Sequence, residues 1–386
     1  MSARILILTA GFGEGHNAAA RALASACDRL QGKGSALLVD AFALASPRAN
    51  AVSRRAYLAM INRTPRLWSA IYAWIDRSHV LPRFLWALRR EMKVIDEIIQ
   101  REKPAVVCST YPVYGFILDQ LRSTGRFRAQ HFNVVTDSIS INSLWWLPAC
   151  DGWFLPNEDS AAVLRRAGIS PDRLHVTGFP VTGFFAEHAG QLSAPDPEVT
   201  APRVLYIINS GTQNAETTAR LLFAEADWEV TCAVGRDEAL RQRLMRLATG
   251  RVRPTRILGW TDEIPRLLMT HHVIVSKAGG ATTQEAIAAR CPMIVNQIVP
   301  GQEEGNYELL RRHGIGALAE TPAAVIQALH QAFANRGQVW KQWCDRLAPL
   351  ARPEAARTIV EHLLGGRDET IPTLSHVPSP EPVISP

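Results

Sequence analysis

The sequence predicts an α/β protein made of two doubly wound domains, each built on a parallel sheet. A chain of 386 residues is long enough for two domains that each bury a core. Short apolar runs alternate with helix-type segments in both halves, the pattern of parallel strands joined by helices. A polar, proline-rich segment over residues 191–202 (QLSAPDPEVTAP) separates the halves and reads as a linker.

Composition describes an ordinary globular chain, with 47% hydrophobic and 20% charged residues. No run reaches the roughly 20 apolar residues that a membrane helix needs. The opening RILILTA lacks the basic region and long apolar stretch of a signal peptide. Six cysteines without paired spacing predict neither a disulfide framework nor a zinc site, so we expect a reduced, cytoplasmic protein. The formal charge of +6 favours an anionic partner: nucleic acid, anionic lipid or a nucleotide.

The N-terminal half opens with a βαβ unit: a strand over residues 5–9, a glycine-rich loop, a helix, and a second strand ending in Asp40. Together with Asp40, the glycines of residues 11–13 imitate a dinucleotide-binding fingerprint. His16 occupies the third glycine position if the motif starts at residue 11. Starting at residue 13 puts Ala18 there, a tolerated variant, so a dinucleotide fold stays an alternative.

His16 begins the first helix beside three glycines, where a ligand can reach it. An imidazole exchanges a proton near neutral pH, as a general base must. Taken alone, the position fits a histidine that caps the turn equally well.

Residues 41–105 predict a helical region rich in arginine, tryptophan and tyrosine, divided into short helices by Pro65 and Pro82. Cations and amphipathic rings together suit an anionic membrane surface. The same composition also fits single-stranded nucleic acid, or a helical excursion whose aromatic side chains belong to the core.

Two further strands are predicted over residues 105–109 and 131–135, and the second ends in Thr136-Asp137. Ligands gather at the carboxyl ends of strands in such sheets, so Asp137 is a candidate site residue. The C-terminal half shows the same alternation from Arg203 onwards. A helix over residues 355–364 is expected to pack back on the first domain.

The stretch from residue 273 to residue 306 carries the most specific signal. An apolar strand leads through Gly279 and Gly280 to a helix expected to open at Thr282 or Thr283. A glycine turn at a helix N-terminus binds phosphate through free backbone N–H groups. One turn later, Glu285 suits a ribose diol. The polar loop that follows suits sugar hydroxyls through Gln302, Glu303 and Asn306. Phosphate, ribose and sugar in sequence describe a nucleotide sugar.

These residues resemble the MurG-like glycosyltransferases, and most closely the monogalactosyldiacylglycerol synthases and other diacylglycerol glycosyltransferases. The match is carried by residues 276–280, Thr283, Glu285, Pro292 and residues 300–306. The resemblance implies a GT-B fold, in which two Rossmann-like domains face each other across a cleft. The implied division is an acceptor-binding domain over 1–190, the linker 191–202, a donor-binding domain over 203–350, a helix over 351–364 and a disordered tail over 365–386.

The resemblance also implies roles for individual residues. His16 is the expected general base, with Asp137 as its catalytic partner. The expected acceptor contacts are Gly13, Gly15, Asn142 and Trp145, and Asn142 stands where the family carries a histidine, so any acid-base role there is lost. The expected donor contacts are Gly211, Thr212, Arg236, Trp260, Thr261, Gly279, Gly280, Thr282, Thr283, Glu285, Gln302, Glu303 and Asn306.

The implied function is transfer of a hexose from a UDP-sugar to a lipid hydroxyl, with inversion at the anomeric carbon. The UDP-sugar is a substrate, and we expect no metal and no cofactor. The expected partners are the lipid acceptor and an anionic membrane surface rather than nucleic acid, which implies a cytoplasmic enzyme bound peripherally to the inner face of the membrane. The alternatives are a sugar-nucleotide epimerase on the same fold and a non-enzymatic nucleotide or nucleic-acid binding protein.

Overall fold

A computed structural model describes residues 5–64, 67, 70–71, 74, 76–77, 81–208, 214–299, 301 and 303–365. The twelve strands of this part of the chain are β1 Ile5–Thr9, β2 Ala36–Asp40, β3 Val106–Ser109, β4 Gln130–Val134, β5 Gly152–Leu155, β6 Leu174–Val176, β7 Arg203–Ile207, β8 Glu229–Ala233, β9 Thr255–Leu258, β10 Val273–Lys277, β11 Met293–Gln297 and β12 Gly316–Leu318. They form two six-stranded parallel sheets, ordered β2-β1-β3-β4-β5-β6 and β12-β11-β10-β7-β8-β9.

Helices connect the strands of both sheets. Their bounds are α1 Glu14–Gln31, α2 Ala41–Ala45, α3 Pro47–Arg63, α4 Arg89–Glu102, α5 Val113–Ser123, α6 Glu158–Arg166, α7 Phe184–Glu187, α8 Ala215–Ala224, α9 Glu238–Leu247, α10 Ile264–Thr270, α11 Gly280–Ala288, α12 Glu304–His313, α13 Pro322–Leu347 and α14 Ala355–Leu363. Short 3-10 helices cover Leu81–Leu88, Ser143–Trp145 and Pro171–Arg173. The predicted α/β class, with two parallel sheets connected by helices, is confirmed.

Both sheets are covered by helices on their two faces, which explains the strands' continuous apolar character. All five residues of β1 are buried, as expected for a strand packed on both sides. Helix α1 lies against this sheet through mostly small side chains, among them Ala20, Ala22 and Ala26. Small residues there let the helix axis approach the sheet closely.

The C-terminal helix α14 returns to the first domain, as predicted. Ile359 and Val360 are fully buried in the same core cluster as β1 and α1. The chain that leads into α14 passes Gly178, whose φ is +97°, and a side chain at Gly178 would meet the Cβ atom of Arg352 at 2.5 Å. The two domains are therefore connected at two places.

Several residues of the proline-rich segment 191–202 pack on the second domain. Leu192 and Ala194 lie against its two core clusters. His272 accepts a hydrogen bond from the Arg203 N–H at Nδ1 (2.9 Å) and, through Nε2, donates to the Pro195 carbonyl (2.8 Å). This pattern requires the neutral imidazole, and burial lowers the pKa of His272 to about 4.

One helix boundary differs from the sequence expectations. The helix expected to open at Thr282 or Thr283 begins at Gly280 instead. Its N-cap is Gly279, and glycine is among the residues that favour this position. Helix α13 is broken by non-helical residues 334–337, of which Asn335, Arg336 and Gly337 have positive φ.

Much of the basic-aromatic region is exposed where the structure describes it. Trp74, Phe84 and Trp86 are 59%, 49% and 61% exposed, so these rings do not belong to the core. Trp68 and Tyr72 of the same region lie outside the described residues. Within the described ranges, no helix is both long and apolar enough to cross a bilayer.

Candidate active site

A cleft of about 680 Å³ lies between the two domains, at the carboxyl ends of both sheets. Parallel strands present loops and helix N-termini at this edge, which is where such folds bind ligands. Most of the residues singled out from the sequence line this cleft. They are Gly13, Gly15, His16, Asp137, Trp260, Thr261, Gly279, Gly280, Thr282, Glu285, Glu303 and Asn306.

Two helix N-termini meet across the cleft. Helix α1 follows Gly13 and helix α11 follows Gly279, and neither glycine can supply a capping side chain. Their first turns nearly touch, because a side chain at Gly15 would lie 3.8 Å from the Ala281 backbone nitrogen. Two positive dipole ends and their unpaired N–H groups therefore point into one space, which suits a diphosphate.

The ring of His16 is fixed by hydrogen bonds at one nitrogen. Nδ1 lies 2.7 Å from the Thr110 carbonyl oxygen and 2.8 Å from the Thr136 hydroxyl. Because a carbonyl only accepts, Nδ1 carries the proton and Nε2 holds the free lone pair. Burial lowers the pKa of His16, and the nearby Asp137 charge opposes that shift. At neutral pH the ring is therefore an unprotonated base with a fixed orientation.

Asp137 is held on its other side by Trp145, whose indole Nε1–H donates to Oδ2 (2.7 Å). Burial raises the pKa of Asp137, while His16 and the Trp145 hydrogen bond oppose the rise. His16 and Asp137 thus form one buried pair, in which a proton taken up by the imidazole is stabilised by the carboxylate.

On the second domain's side of the cleft, Lys277 forms an ion pair with Glu303. The second oxygen of Glu303 accepts from the Val299 N–H (3.0 Å). Lys277 stands close to Gly279, since its Nζ lies 3.9 Å from where a Gly279 side chain would begin. Asn306 donates from Nδ2 to the Ala278 carbonyl (3.0 Å). A cation, a carboxylate and an amide thus border the glycine turn.

Glu285 lies one turn into α11 and faces α1 across the cleft. Burial raises its pKa to about 7, with Arg21 lowering it and Glu14 raising it. Arg21 and Glu14 pair with each other on α1. The carboxyl group of Glu285 therefore changes its charge near neutral pH in this structure.

Some predicted contacts lie elsewhere. Trp145 is fully buried and Asn142 is 3% exposed, so these two expected acceptor contacts lie behind the cleft surface instead of facing the cleft. Asn142 caps a short 3-10 helix by accepting from the Leu144 N–H (3.1 Å). Thr283 is fully buried with its hydroxyl against the Met293 sulfur, because helical periodicity turns it towards the sheet.

Arg236 is exposed next to Gly235, and of the two only Gly235 lines the cleft. Gly211, Thr212 and Gln302 lie outside the described residues. The cleft lining also contains three cationic side chains that were not singled out from the sequence as site residues: Lys277, Arg21 and Arg54. Lys277 immediately precedes the glycine turn and could have been recognised there. The arginines become neighbours of the cleft only through packing.

The Asp40 carboxylate, which the dinucleotide alternative needs for a ribose, is already hydrogen-bonded within the protein. The Asp40 carboxylate accepts from the Gly11 N–H (3.0 Å) and from the Ala43 N–H (2.9 Å). Both oxygens therefore hold the glycine-rich loop and cap α2. A ribose would have to displace these bonds.

Residues 16–181 match the family model for monogalactosyldiacylglycerol (MGDG) synthase. A processive diacylglycerol beta-glucosyltransferase of Bacillus cytotoxicus is 23% identical over 387 aligned residues, which cover 99% of this chain and 98% of that protein. A protein of the same description from Bacillus cereus is also 23% identical with the same coverage.

Solved structures agree in architecture. The UDP co-structure of S. aureus MnaA has a TM-score of 0.60 and 14% identity, covering 94% of this chain and 97% of that one. Acinetobacter baumannii MurG has a TM-score of 0.58 and 13% identity, with 94% and 99% coverage. The chain thus has the GT-B fold, and its resemblance to the MurG-like enzymes and to the diacylglycerol glycosyltransferases is confirmed.

Proposed function

We propose that this protein is an inverting glycosyltransferase that moves a hexose from a UDP-sugar to the hydroxyl of a diacylglycerol-type lipid. The observation that carries the proposal is the His16 geometry: Nδ1 is tied to the Thr110 carbonyl and the ring borders a cleft whose other wall is a phosphate-type helix N-terminus. The similarity to diacylglycerol glucosyltransferases along the chain supports the lipid acceptor.

The reaction follows from this arrangement. Nε2 of His16 removes the proton of the lipid hydroxyl as its oxygen attacks the anomeric carbon, and Asp137 stabilises the imidazolium that forms. The bond between the anomeric carbon and the diphosphate breaks on the opposite face, which inverts the configuration. The α11 N-terminus and Lys277 stabilise the negative charge that develops on the leaving UDP. No metal and no cofactor takes part in this proposal.

The donor lies along the second domain. Trp260 and Thr261 line the end of the cleft that we assign to the uracil, and Glu285 accepts from the ribose hydroxyls. Glu303 and Asn306 are near enough to the glycine turn to orient the hexose. Glu303 is paired with Lys277 in this structure, so binding of a diphosphate to Lys277 would release a carboxylate oxygen for the sugar.

We also propose that the basic-aromatic region binds an anionic membrane. Trp74, Phe84 and Trp86 are exposed, and the exposed Arg83 and Arg89 lie beside them in sequence. Rings of this kind lie at headgroup level, while the arginines attract anionic lipid. The region follows the first βαβ unit directly, and Arg54 of α3 lines the cleft, so a membrane-bound lipid would enter near His16.

The test is UDP release by the purified protein. UDP-glucose, UDP-galactose and UDP-N-acetylglucosamine are each supplied with and without diacylglycerol, in vesicles that contain phosphatidylglycerol. We expect release that requires both substrates, a glycolipid identified by its mass, and an inverted anomeric configuration by NMR. His16→Ala should abolish most of the turnover while UDP still binds.

Two other results would contradict the proposal. Isomerisation of a UDP-sugar without any acceptor would identify an epimerase. Binding of UDP without release on any lipid would exclude a diacylglycerol-type acceptor.

A further inference from the structure

Two helices of the second domain, α11 and α12, contact the loop that carries Asp137. We define the Asp137 loop as residues 136–140, which follow β4. The Gln284 side chain, on α11, donates from Nε2 to the Ser138 hydroxyl at 2.9 Å. Gln284 and Ser138 are 5% and 3% exposed, so this is a buried bond between domains, made by residues 146 positions apart.

Gly305 holds the same loop from α12. A methyl group at Gly305 would overlap the Ser138 carbonyl oxygen and stand 2.6 Å from the Ser140 nitrogen. The backbone of the loop therefore rests directly on the first turn of α12. Any side chain at position 305 would push the loop away.

The loop is bent into a conformation that it would not adopt alone. Ile139 has a φ of +57°, and the Ser140 N–H bonds to the Ser138 carbonyl (2.6 Å) to close a three-residue turn. A β-branched residue in the left-handed region is strained, and such strain persists only where the surroundings enforce it. Here the Ile139 side chain packs against the core cluster of the second domain.

We infer that Gln284 and Gly305 are positioning residues that hold Asp137 beside His16 while the domains are together. The inference rests on the proposed function. Asp137 has Thr136, bonded to His16, on one side and Ser138, bonded to Gln284, on the other, so its backbone has little freedom. Helix α11 also forms the proposed diphosphate site. The second domain thus contacts the loop of Asp137 through one hydrogen bond from α11 and one close backbone contact from α12.

The first test removes the bond from either end, with Gln284→Leu and Ser138→Ala. Each variant should lower kcat about tenfold, the effect of one lost buried hydrogen bond. The Kd for UDP should stay within about twofold, since neither side chain faces the nucleotide. The double variant should be no worse than the poorer single variant, because both changes break the same bond. Multiplying losses would overturn the inference.

The acid limb of the kcat–pH profile gives a readout that a merely structural role would not move. Asp137 raises the pKa of His16, so displacement of Asp137 should move the limb to lower pH in both single variants. An unmoved limb would contradict the inference. Ser138→Ala removes a single oxygen atom, so it keeps the test valid if Gln284→Leu fails to fold.

Asp159→Asn is the matched control. Asp159 accepts from Arg312 Nη1 (3.2 Å) and His313 Nε2 (2.9 Å) across the same domain interface, outside the Asp137 loop. We expect its kcat and pH profile to match those of the wild type. A loss as large as that of Gln284→Leu would mean that any weakening of the interface has the effect, and the inference would be wrong.

A measurement without substrate separates this inference from the proposed function. The His16 ring is titrated by NMR in the full-length wild type and in Ser138→Ala. A lower His16 pKa in the variant supports the positioning role even if no sugar transfer is found. An identical titration in both proteins rejects it, whatever the enzyme transfers.

Discussion

Replacement of Asp137 by asparagine tests the chemistry of the buried pair most directly. The two side chains have the same shape, and the amide oxygen can still accept the 2.7 Å hydrogen bond from Trp145. The substitution therefore removes the charge and leaves the packing in place. What is lost is the attraction between the carboxylate and the imidazolium that forms during proton transfer.

The magnitude follows from Coulomb's law. At roughly 6 Å, the outer end of the range over which a neighbouring charge shifts a pKa, and at an effective dielectric constant of about 20, two unit charges attract by about 3 kcal/mol. Loss of that attraction in the transition state lowers kcat by about 100-fold. The unprotonated His16 of the ground state carries no charge, so binding of the donor should change little.

The assay is steady-state UDP release in lipid vesicles between pH 5 and 9, combined with calorimetric titration of UDP. We expect the acid limb to move to lower pH in Asp137→Asn, because the carboxylate raises the pKa of His16 in the wild type. A loss of kcat below about threefold would refute the reasoning, and so would an equal loss of UDP affinity or an acid limb at higher pH.

Three further outcomes are expected. UDP should bind the wild type more tightly as pH rises through 7, because only ionised Glu285, with a pKa of about 7, accepts from both ribose hydroxyls. The Glu285→Gln variant should bind UDP about tenfold more weakly and without that pH dependence, as measured by calorimetry. Gly178→Ala should lower the free energy of unfolding by about 1–3 kcal/mol more than Gly168→Ala. Both glycines have positive φ, but only at Gly178 would the new methyl group overlap a neighbour, Arg352. Equal losses in denaturant titrations would contradict the overlap. Buried His272 should make the free energy of unfolding fall by up to about 1.4 kcal/mol per pH unit as pH decreases from 6.5 towards 4, because the unfolded chain then binds a proton that His272 does not bind in the folded protein. The His272→Asn variant should lack that part of the slope.

Local patterns in the chain were enough to predict the two parallel sheets. Strand β1 begins and ends where the sequence predicts, at residues 5 and 9, and α14 was correctly expected on the first domain. The glycine turn at residues 279–280 needed only its neighbours in sequence, because a phosphate-type site is made from consecutive backbone N–H groups. His16 and Asp137 were found because each follows directly from a strand end or a glycine loop.

The direction in which a site side chain points was harder to predict than the place of its residue in the fold. Asn142 and Trp145 were assigned to the acceptor, yet both are buried because their loop folds inward. The Asn142 amide oxygen accepts from the Leu144 N–H, and the Trp145 indole N–H donates to Asp137. Thr283 sits in the right helix but on the face that packs against the sheet. A motif gives the spacing of side chains, and the packing around it decides which of them reach a ligand.

The fold class, the nucleotide-type turn and the candidate base could be predicted from local patterns, since each depends on residues close together in the chain. Which groups meet across the cleft depends on how the two domains pack. The Lys277–Glu303 pair joins residues 26 positions apart, and the Gln284–Ser138 bond spans 146 positions. Contacts of this kind depend on how two independently folded sheets dock, and no local pattern of hydrophobicity or spacing encodes that geometry.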